Sequence, residues 1–124
     1  MARVSRSRVR VRRIYDEPGP EDGVRVLVDR LWPRGITREE ARLDRWAKEL
    51  APSTELRRWY GHRPERFEAF AHRYREELAR PEVQASLEEL RRLATQGPLT
   101  VLTATRDVER SGARVLADVL LELG

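Results

Sequence analysis

A six-residue stretch, Val24–Asp29, decides the fold; it reads VRVLVD and is followed by RLWPRG at residues 30–35. Its apolar side chains are nearly continuous, which is typical of a strand that is covered on both faces in a parallel sheet. Ligands of open α/β sheets bind beyond the carboxyl ends of the strands. The same stretch therefore predicts a central strand and points to a candidate site directly after it.

Two other segments are predicted to be strands. Arg8–Arg12 alternates arginine and valine with a period of two, so its valines should face the core and its arginines should face out at a sheet edge. Leu99–Thr105 is a nearly continuous run of apolar residues and threonines. The intervening segment Tyr15–Gly23 contains prolines, glycines and acids and is predicted to be a loop. Nine residues are few for a parallel crossover, so the direction of the first strand stays open.

The segment after the second strand is predicted to be helical. Thr37 and Glu40 match a capping box, so a helix should begin there. Asp44 is an alternative N-cap for a second, shorter helix, and both interpretations stay open. One helical face would carry the apolar residues Leu43, Trp46, Ala47 and Leu50.

Three further helices are predicted between residues 53 and 97, followed by one near the end of the chain. Ser53 caps the first of them and Gly61 ends it, whereas Pro64 fits the first turn of the second. Ser111 caps the last helix. Strands and helices in this order predict a small three-layer α/β domain, residues 1–124, with a short, mostly parallel sheet and several helices.

Composition narrows the class of protein. The 124 residues suffice for one domain, and they contain neither a long apolar run nor a secretory signal, so a soluble cytoplasmic protein without a membrane segment is expected. Cysteine is absent, which excludes disulfides and cysteine nucleophiles. Lys48 is the single lysine and asparagine is absent. This composition fits a thermostable protein or a GC-rich genome equally, and a melting temperature would distinguish them.

The positive charge is concentrated at the N-terminus. Residues 1–13 hold six arginines and no acid, while the whole chain has a net charge of +4. This basic segment is interpreted either as an arm that binds phosphates or as a solvated strand face. Residues 1–7 are expected to form a basic, disordered arm. Proteins that bind nucleic acid usually spread their charge over a whole face, so nucleic acid is a less favoured partner than a small phosphate-containing molecule.

Two charged segments follow predicted strands and are expected to converge. Asp29, Arg30 and Arg34 come after the second strand, and Arg106 and Asp107 come after the third. Arginines beside helix N-termini favour an anion such as phosphate or carboxylate. Acid–base chemistry, if any, would fall to one of the aspartates, because arginine is a poor base. The alternative is that Arg–Asp pairs only hold loops in place.

Three other residues complete the candidate ligand-binding set. Gly35 would let the backbone approach a ligand closely, and Ser111 begins the last helix beside the site. Trp32 either stacks on a ligand or packs over the sheet edge, whereas Trp46 and Trp59 are expected in the core. His62 is interpreted as a capping or a site residue.

No cofactor or metal ion is predicted. P-loop, GxGxxG and GxSxG motifs are absent. Of the two histidines, His72 is expected to be solvated, and neither has a spaced carboxylate partner that would suggest a metal site.

Two longer strings resemble the bacterial DUF488 family, specifically its YeaO-like branch: LVDRLWPRG at residues 27–35 and APSTELR at residues 51–57. Further matches at residues 61–62, 98–102 and 106–107 extend the resemblance over nearly the whole chain. It implies a Rossmann-like architecture and a site at residues 29–35 opposite Arg106 and Asp107, and it carries no established reaction. Relatives tend to have a histidine-containing segment where this chain reads RSGA at residues 110–113, so any chemistry that needs it would be altered or lost here.

Three functions are compatible with these patterns. The first is binding of a phosphorylated ligand or nucleotide through Arg30, Arg34 and Arg106. The second is a hydrolase or transferase that uses Asp29 or Asp107 in a closed pocket. The third is a non-catalytic interaction module, which predicts a flat apolar patch near Trp32 instead of a pocket.

Overall fold

The computed structural model describes residues 8–123, so the predicted basic arm at residues 1–7 lies outside the described residues. Four strands are present in this range: β1 (Val9–Arg13), β2 (Val24–Leu27), β3 (Arg45–Trp46) and β4 (Leu99–Thr103). They form one sheet in the order β1-β4-β2-β3, and every neighbouring pair is parallel. The predicted α/β class with a short parallel sheet is confirmed.

Within the described residues, five α-helices accompany the sheet: α1 (Arg38–Ala41), α2 (Thr54–Tyr60), α3 (Phe67–Leu78), α4 (Pro81–Gln96) and α5 (Gly112–Leu123). The predicted caps of α2 are confirmed, because the Ser53 hydroxyl accepts the N–H of Leu56 and Gly61 ends the helix in the left-handed region at φ 54°. At the start of α5, the Ser111 hydroxyl accepts the N–H of Arg114, as predicted. Short 3-10 turns lie at Lys48–Leu50, Pro64–Arg66 and Val108–Arg110.

The two faces of the sheet carry different coverings. Val9, Val26 and Val101 point to one face and pack with α2–α5 in a large core. Leu27 and Leu102, which alternate with them, point to the other face and form a smaller core with Ile14 and Ala41. The second covering consists of α1 and irregular chain. Both faces of β2 and β4 are thus buried, as their continuous apolar runs predict.

The first strand runs parallel to β4, which decides the direction that the sequence leaves open. Residues 14–23 return to the start of β2 without a helix, and the Asp22 carbonyl accepts the hydroxyl of Thr100 on β4, so the loop crosses that strand. A five-residue strand is about 17 Å long and a two-strand offset about 10 Å, whereas ten residues reach about 33 Å. Ten extended residues are therefore long enough to make this connection, and no helix is needed in it.

The predicted helix over residues 37–50 is wrong beyond its first turn. The capping box of Thr37 and Glu40 is present, but Arg42 adopts a left-handed conformation at φ 48° and ends α1. The chain then forms β3, and Asp44 is not a helix cap: its carboxylate accepts the N–H of Arg25. The apolar residues are divided between the two cores, with Leu43 and Trp46 in the smaller core and Ala47 and Leu50 in the larger one.

The crossing loop is held by a buried charge cluster around Asp22, which is 1% exposed. Its carboxylate lies 3.0 Å from the guanidinium of Arg12 and also pairs with Arg25, which is 5% exposed. Burial by itself raises the pKa of the Asp22 carboxyl, but hydrogen bonds from the Gly19 N–H, Arg12 and Arg25 outweigh it and leave the pKa lowered. The folded state therefore favours the ionised carboxylate.

Replacing Asp22 with asparagine is expected to lower the free energy of unfolding by about 3–5 kcal/mol, because Arg25 would stay buried without its charge partner. Urea unfolding measures this change. The neighbouring Glu21→Gln is the matched control, since Glu21 is exposed and its contact with Arg10 is 3.5 Å long, so its effect should stay below about 1 kcal/mol. Equal losses in the two variants would contradict the cluster's role.

The stability difference between the wild type and Asp22→Asn should depend on pH. Because the folded-state pKa of Asp22 is lowered, its contribution is fully present above the ordinary value of about 3.9 and is lost as the pH falls through the folded-state value. Denaturation curves between neutral and strongly acidic pH test the sign. A difference that grows on acidification would show that the sign is wrong.

Gly23, at the start of β2, is required by both conformation and space. Its φ is +62°, and a Cβ atom added there would overlap the carbonyl of Pro98 at the start of β4. Gly23→Ala should therefore destabilise the protein by about 1–3 kcal/mol or more in a thermal or urea melt. Gly19→Ala is the matched control, because that position has open space and no positive φ, and it should change stability by about 0.5 kcal/mol or less.

Candidate functional site

A cavity of about 380 Å³ opens at the carboxyl ends of β2 and β4, where ligands of parallel sheets bind. We call it the first cavity. Asp29 and Thr103 line it from the two strand ends, Arg57 and Tyr60 from α2, and Gly112 from the start of α5. The site is thus assembled from segments that lie far apart in the sequence.

Asp29 is fixed in the first cavity through both its side chain and its backbone. One carboxylate oxygen accepts the Thr103 hydroxyl at 2.9 Å, and the other accepts the N–H of Ala104 at 2.8 Å. The Asp29 carbonyl accepts the indole N–H of Trp46 at 2.7 Å. Burial raises the pKa of the carboxyl, whereas these hydrogen bonds and the attraction of Arg57 and His62 act in the opposite direction and compensate only in part.

Arg30 lines the first cavity, but its guanidinium group is committed to the backbone. Its Nε donates to the carbonyl of Pro52 at 3.1 Å and its Nη2 to that of Ala51 at 3.1 Å. These bonds connect the end of β2 to the segment that precedes α2. The main role of Arg30 in the structure is to hold the cavity wall.

Arg34 and Arg57 line the first cavity with uncommitted guanidinium groups. Within residues 8–123, neither side chain forms an ion pair or donates a hydrogen bond to another group of the protein. Both residues are exposed, and the backbone of Arg34 is anchored because its carbonyl accepts the Tyr15 hydroxyl at 2.6 Å. These two cations are therefore available to a ligand.

Arg106 and Asp107 lie in a neighbouring cavity of about 430 Å³, which we call the second cavity. Asp107 is exposed and pairs with Arg110 at 2.9 Å. The expectation that Arg30, Arg34 and Arg106 share one hollow is met only for the first two. The cavities adjoin one another, because both are lined by Tyr15, Tyr60, His62, Ala104 and Thr105.

Of the three other predicted ligand-binding residues, two line the first cavity and one lines neither cavity. Trp32 lines the first cavity, but its ring packs edge-on against Trp46 at 5.3 Å and lies under the Arg38 guanidinium at 4.7 Å. Ser111 lines the cavity while its hydroxyl donates to the Val108 carbonyl and caps α5. Gly35 lines neither cavity, and its φ of +77° marks a turn.

Several cavity residues are missing from the sequence-based set. Arg57 lies inside the APSTELR string, so that motif carried a signal for it, and Tyr60 lies one helical turn further along α2. His62, interpreted from the sequence as a cap or a site residue, lines both cavities and has a left-handed φ of 56°, directly after Gly61. Tyr15 comes from the crossing loop and carries no recognisable sequence signal.

The chemistry of the site rests on these side chains and on backbone N–H groups. In the part of the chain that the structure describes, no three histidine, aspartate or glutamate residues lie together as metal ligands. In the same range, no helix is long and apolar enough to cross a bilayer. The site offers cations and hydrogen-bond donors around a single half-buried carboxylate, that of Asp29.

Comparisons with known proteins agree with the motifs at the site. An uncharacterised protein of Mycobacterium tuberculosis is 53% identical over 117 residues, covering 94% of this chain and 97% of the relative. The uncharacterised protein YeaO of Escherichia coli is 40% identical over 115 residues, covering 93% and 98%. No solved structure matches the chain significantly. A family model described as the inactive DUF488-N3 subclade matches residues 8–123, and the chain therefore belongs to the DUF488 family.

Proposed function

We propose that the first cavity binds a small phosphorylated ligand. The observation that carries this proposal is the pair of uncommitted guanidinium groups, Arg34 and Arg57, that line one cavity at the strand ends. Elsewhere the arginines that face carboxylates are paired, as in Arg45 with Glu89 and Arg75 with Glu122. Guanidinium groups bind phosphate oxygens with fork-like, charge-assisted hydrogen bonds.

The start of α5 adds to this positive field. Gly112 and Ala113 line the first cavity and are the first two residues of the twelve-residue helix, so their N–H groups have no partner within it. The positive end of the helix dipole favours an anion at this place. Three arginines and one aspartate line the cavity, which leaves a positive balance for an anionic ligand.

A second candidate function is acid–base catalysis by Asp29. The raised pKa of its carboxyl, caused by burial, supports this alternative, because such a shift is common among catalytic acids. Against it, both carboxylate oxygens already accept hydrogen bonds from β4 and its following loop, and Asp107 is exposed and ion-paired. The description of the matching subclade as inactive also favours binding over catalysis.

Arg57→Ala should weaken the binding of phosphate-containing probes by about tenfold or more, because it removes a charge-assisted contact of about 1.5–3 kcal/mol. Titration calorimetry with inorganic phosphate and 5′-AMP measures this loss. Arg58→Ala is the matched control: Arg58 is the next residue of α2, exposed, and outside both cavities, so its removal should leave the affinity unchanged.

Arg34→Ala should reproduce the effect of Arg57→Ala. If neither probe binds the wild-type protein, or if Arg57→Ala and Arg58→Ala weaken binding equally, the proposal is wrong. Thermal melts of all variants verify that each remains folded.

Asp29→Asn should bind inorganic phosphate more tightly, because it removes the negative charge from the cavity while the amide can still accept from Ala104 and donate to Thr103. Since the pKa of Asp29 is raised, the ionised carboxylate is disfavoured by folding, so this variant should be as stable as the wild type or more stable at neutral pH. Weaker phosphate binding with an intact melt would contradict the electrostatic role assigned to Asp29.

A further inference from the structure

The second cavity repeats the chemistry of the first. The two cavities share the aromatic lining residues Tyr15, Tyr60 and His62, which we call the wall. Arg13, Arg106 and Arg110 line it together with a single carboxylate, that of Asp107. Arg106 is exposed and, within residues 8–123, forms no ion pair. Two adjoining hollows thus each present more arginines than carboxylates, although only the first lies directly over the end of β2.

Arg13 is held in place at the second cavity, whereas Arg110 is only weakly paired. The Arg13 guanidinium donates a hydrogen bond from Nη2 to the Ala104 carbonyl at 3.2 Å. The same group lies over the Tyr15 ring, 4.8 Å from its centroid. Arg110 pairs with Asp107 in an exposed contact, which is weak and easily exchanged for a ligand. Arg106 is the uncommitted cation of this cavity.

The wall between the cavities is aromatic and anchored on both sides. The Tyr15 hydroxyl donates to the carbonyl of Arg34, a residue of the first cavity, at 2.6 Å. The Tyr60 hydroxyl donates to the carbonyl of Arg110, a residue of the second cavity, also at 2.6 Å. Each tyrosine thereby anchors the backbone of one arginine that lines a cavity.

We infer that the two cavities together bind one ligand that carries two phosphate groups on separate positions of an organic unit, as a nucleoside 3′,5′-bisphosphate does. This inference rests on the proposed function of the first cavity. One phosphate contacts Arg34 and Arg57, and the other contacts Arg106. Two phosphates linked directly, as in a nucleoside diphosphate, have no organic unit between them that could lie along Tyr15, Tyr60 and His62, which line both cavities.

The wall also provides a surface for the nucleoside that carries the two phosphates. Tyr15 is 39% exposed, and it belongs to both cavities. In a 3′,5′-bisphosphate the ribose lies between the phosphates and carries the nucleobase. Aromatic side chains stack on planar rings with little sequence preference, so that nucleobase suits a position on Tyr15. The cavity volumes of about 380 and 430 Å³ are in the range of small-molecule sites.

The test compares three nucleotides that differ in their phosphates: 5′-AMP, ADP and adenosine 3′,5′-bisphosphate. Titration calorimetry on the wild type should show the bisphosphate binding about tenfold tighter than 5′-AMP, with ADP close to 5′-AMP. Arg106→Ala should remove that advantage and leave 5′-AMP unchanged. Arg57→Ala should weaken all three nucleotides, and Arg58→Ala should weaken none.

The outcomes separate this inference from the proposal beneath it. If 5′-AMP binds and depends on Arg57 but the bisphosphate gains nothing, the inference is overturned and the first-cavity proposal stands. The inference is likewise overturned, with the proposal intact, if ADP gains as much as the bisphosphate or if Arg106→Ala weakens all three nucleotides equally. If none of the three binds, both are overturned.

Discussion

The carboxylate of Asp29 connects the ends of two strands that lie 75 residues apart in the sequence. It accepts the Thr103 hydroxyl and the Ala104 N–H, while the Asp29 carbonyl accepts the indole of Trp46 from β3. Three strands therefore meet at one residue, where the sheet opens toward the first cavity. Burial of this charge is unfavourable and raises the pKa of the carboxyl, and the hydrogen bonds offset that effect only in part. These bonds extend the pairing of β2 with β4 beyond the strand ends, at the edge of the first cavity.

Much of the fold follows from local patterns in the sequence. The continuous apolar runs of β2 and β4 and the caps Ser53 and Ser111 each have a physical interpretation that the structure confirms. In β1 the alternation is present, but Arg12 does not face out as predicted, because it pairs with the buried Asp22 of the crossing loop. The segment after Thr37 is different, because Leu43, Trp46, Ala47 and Leu50 occur at spacings that fit a helix. Its actual conformation is set by the open edge of β2, to which the N–H groups of Asp44 and Ala47 donate. A sheet edge is a tertiary feature that no local spacing reveals.

The candidate site was predictable at the strand ends and much less so at its walls. Asp29, Arg30 and Arg34 line the first cavity because residues that follow a parallel strand must emerge at its carboxyl edge. Arg106 follows β4 by the same rule, yet it lines the second cavity together with Arg110 of the next 3-10 turn. Arg57 and Tyr15 reach the site through packing of α2 and the crossing loop, and those long-range contacts leave no spacing pattern.

The unequal coverings of the sheet have a mechanical consequence. One face is sealed by four helices, whereas the other is closed by a ten-residue crossing loop, one helical turn and a layer of Trp32, Trp46 and Arg38. Thin irregular layers open at a lower free energy than packed helices. Local unfolding is therefore expected to begin on the face covered by the crossing loop. The ion pairs of Asp22 with Arg12 of β1 and Arg25 of β2 stabilise the closed state of that face.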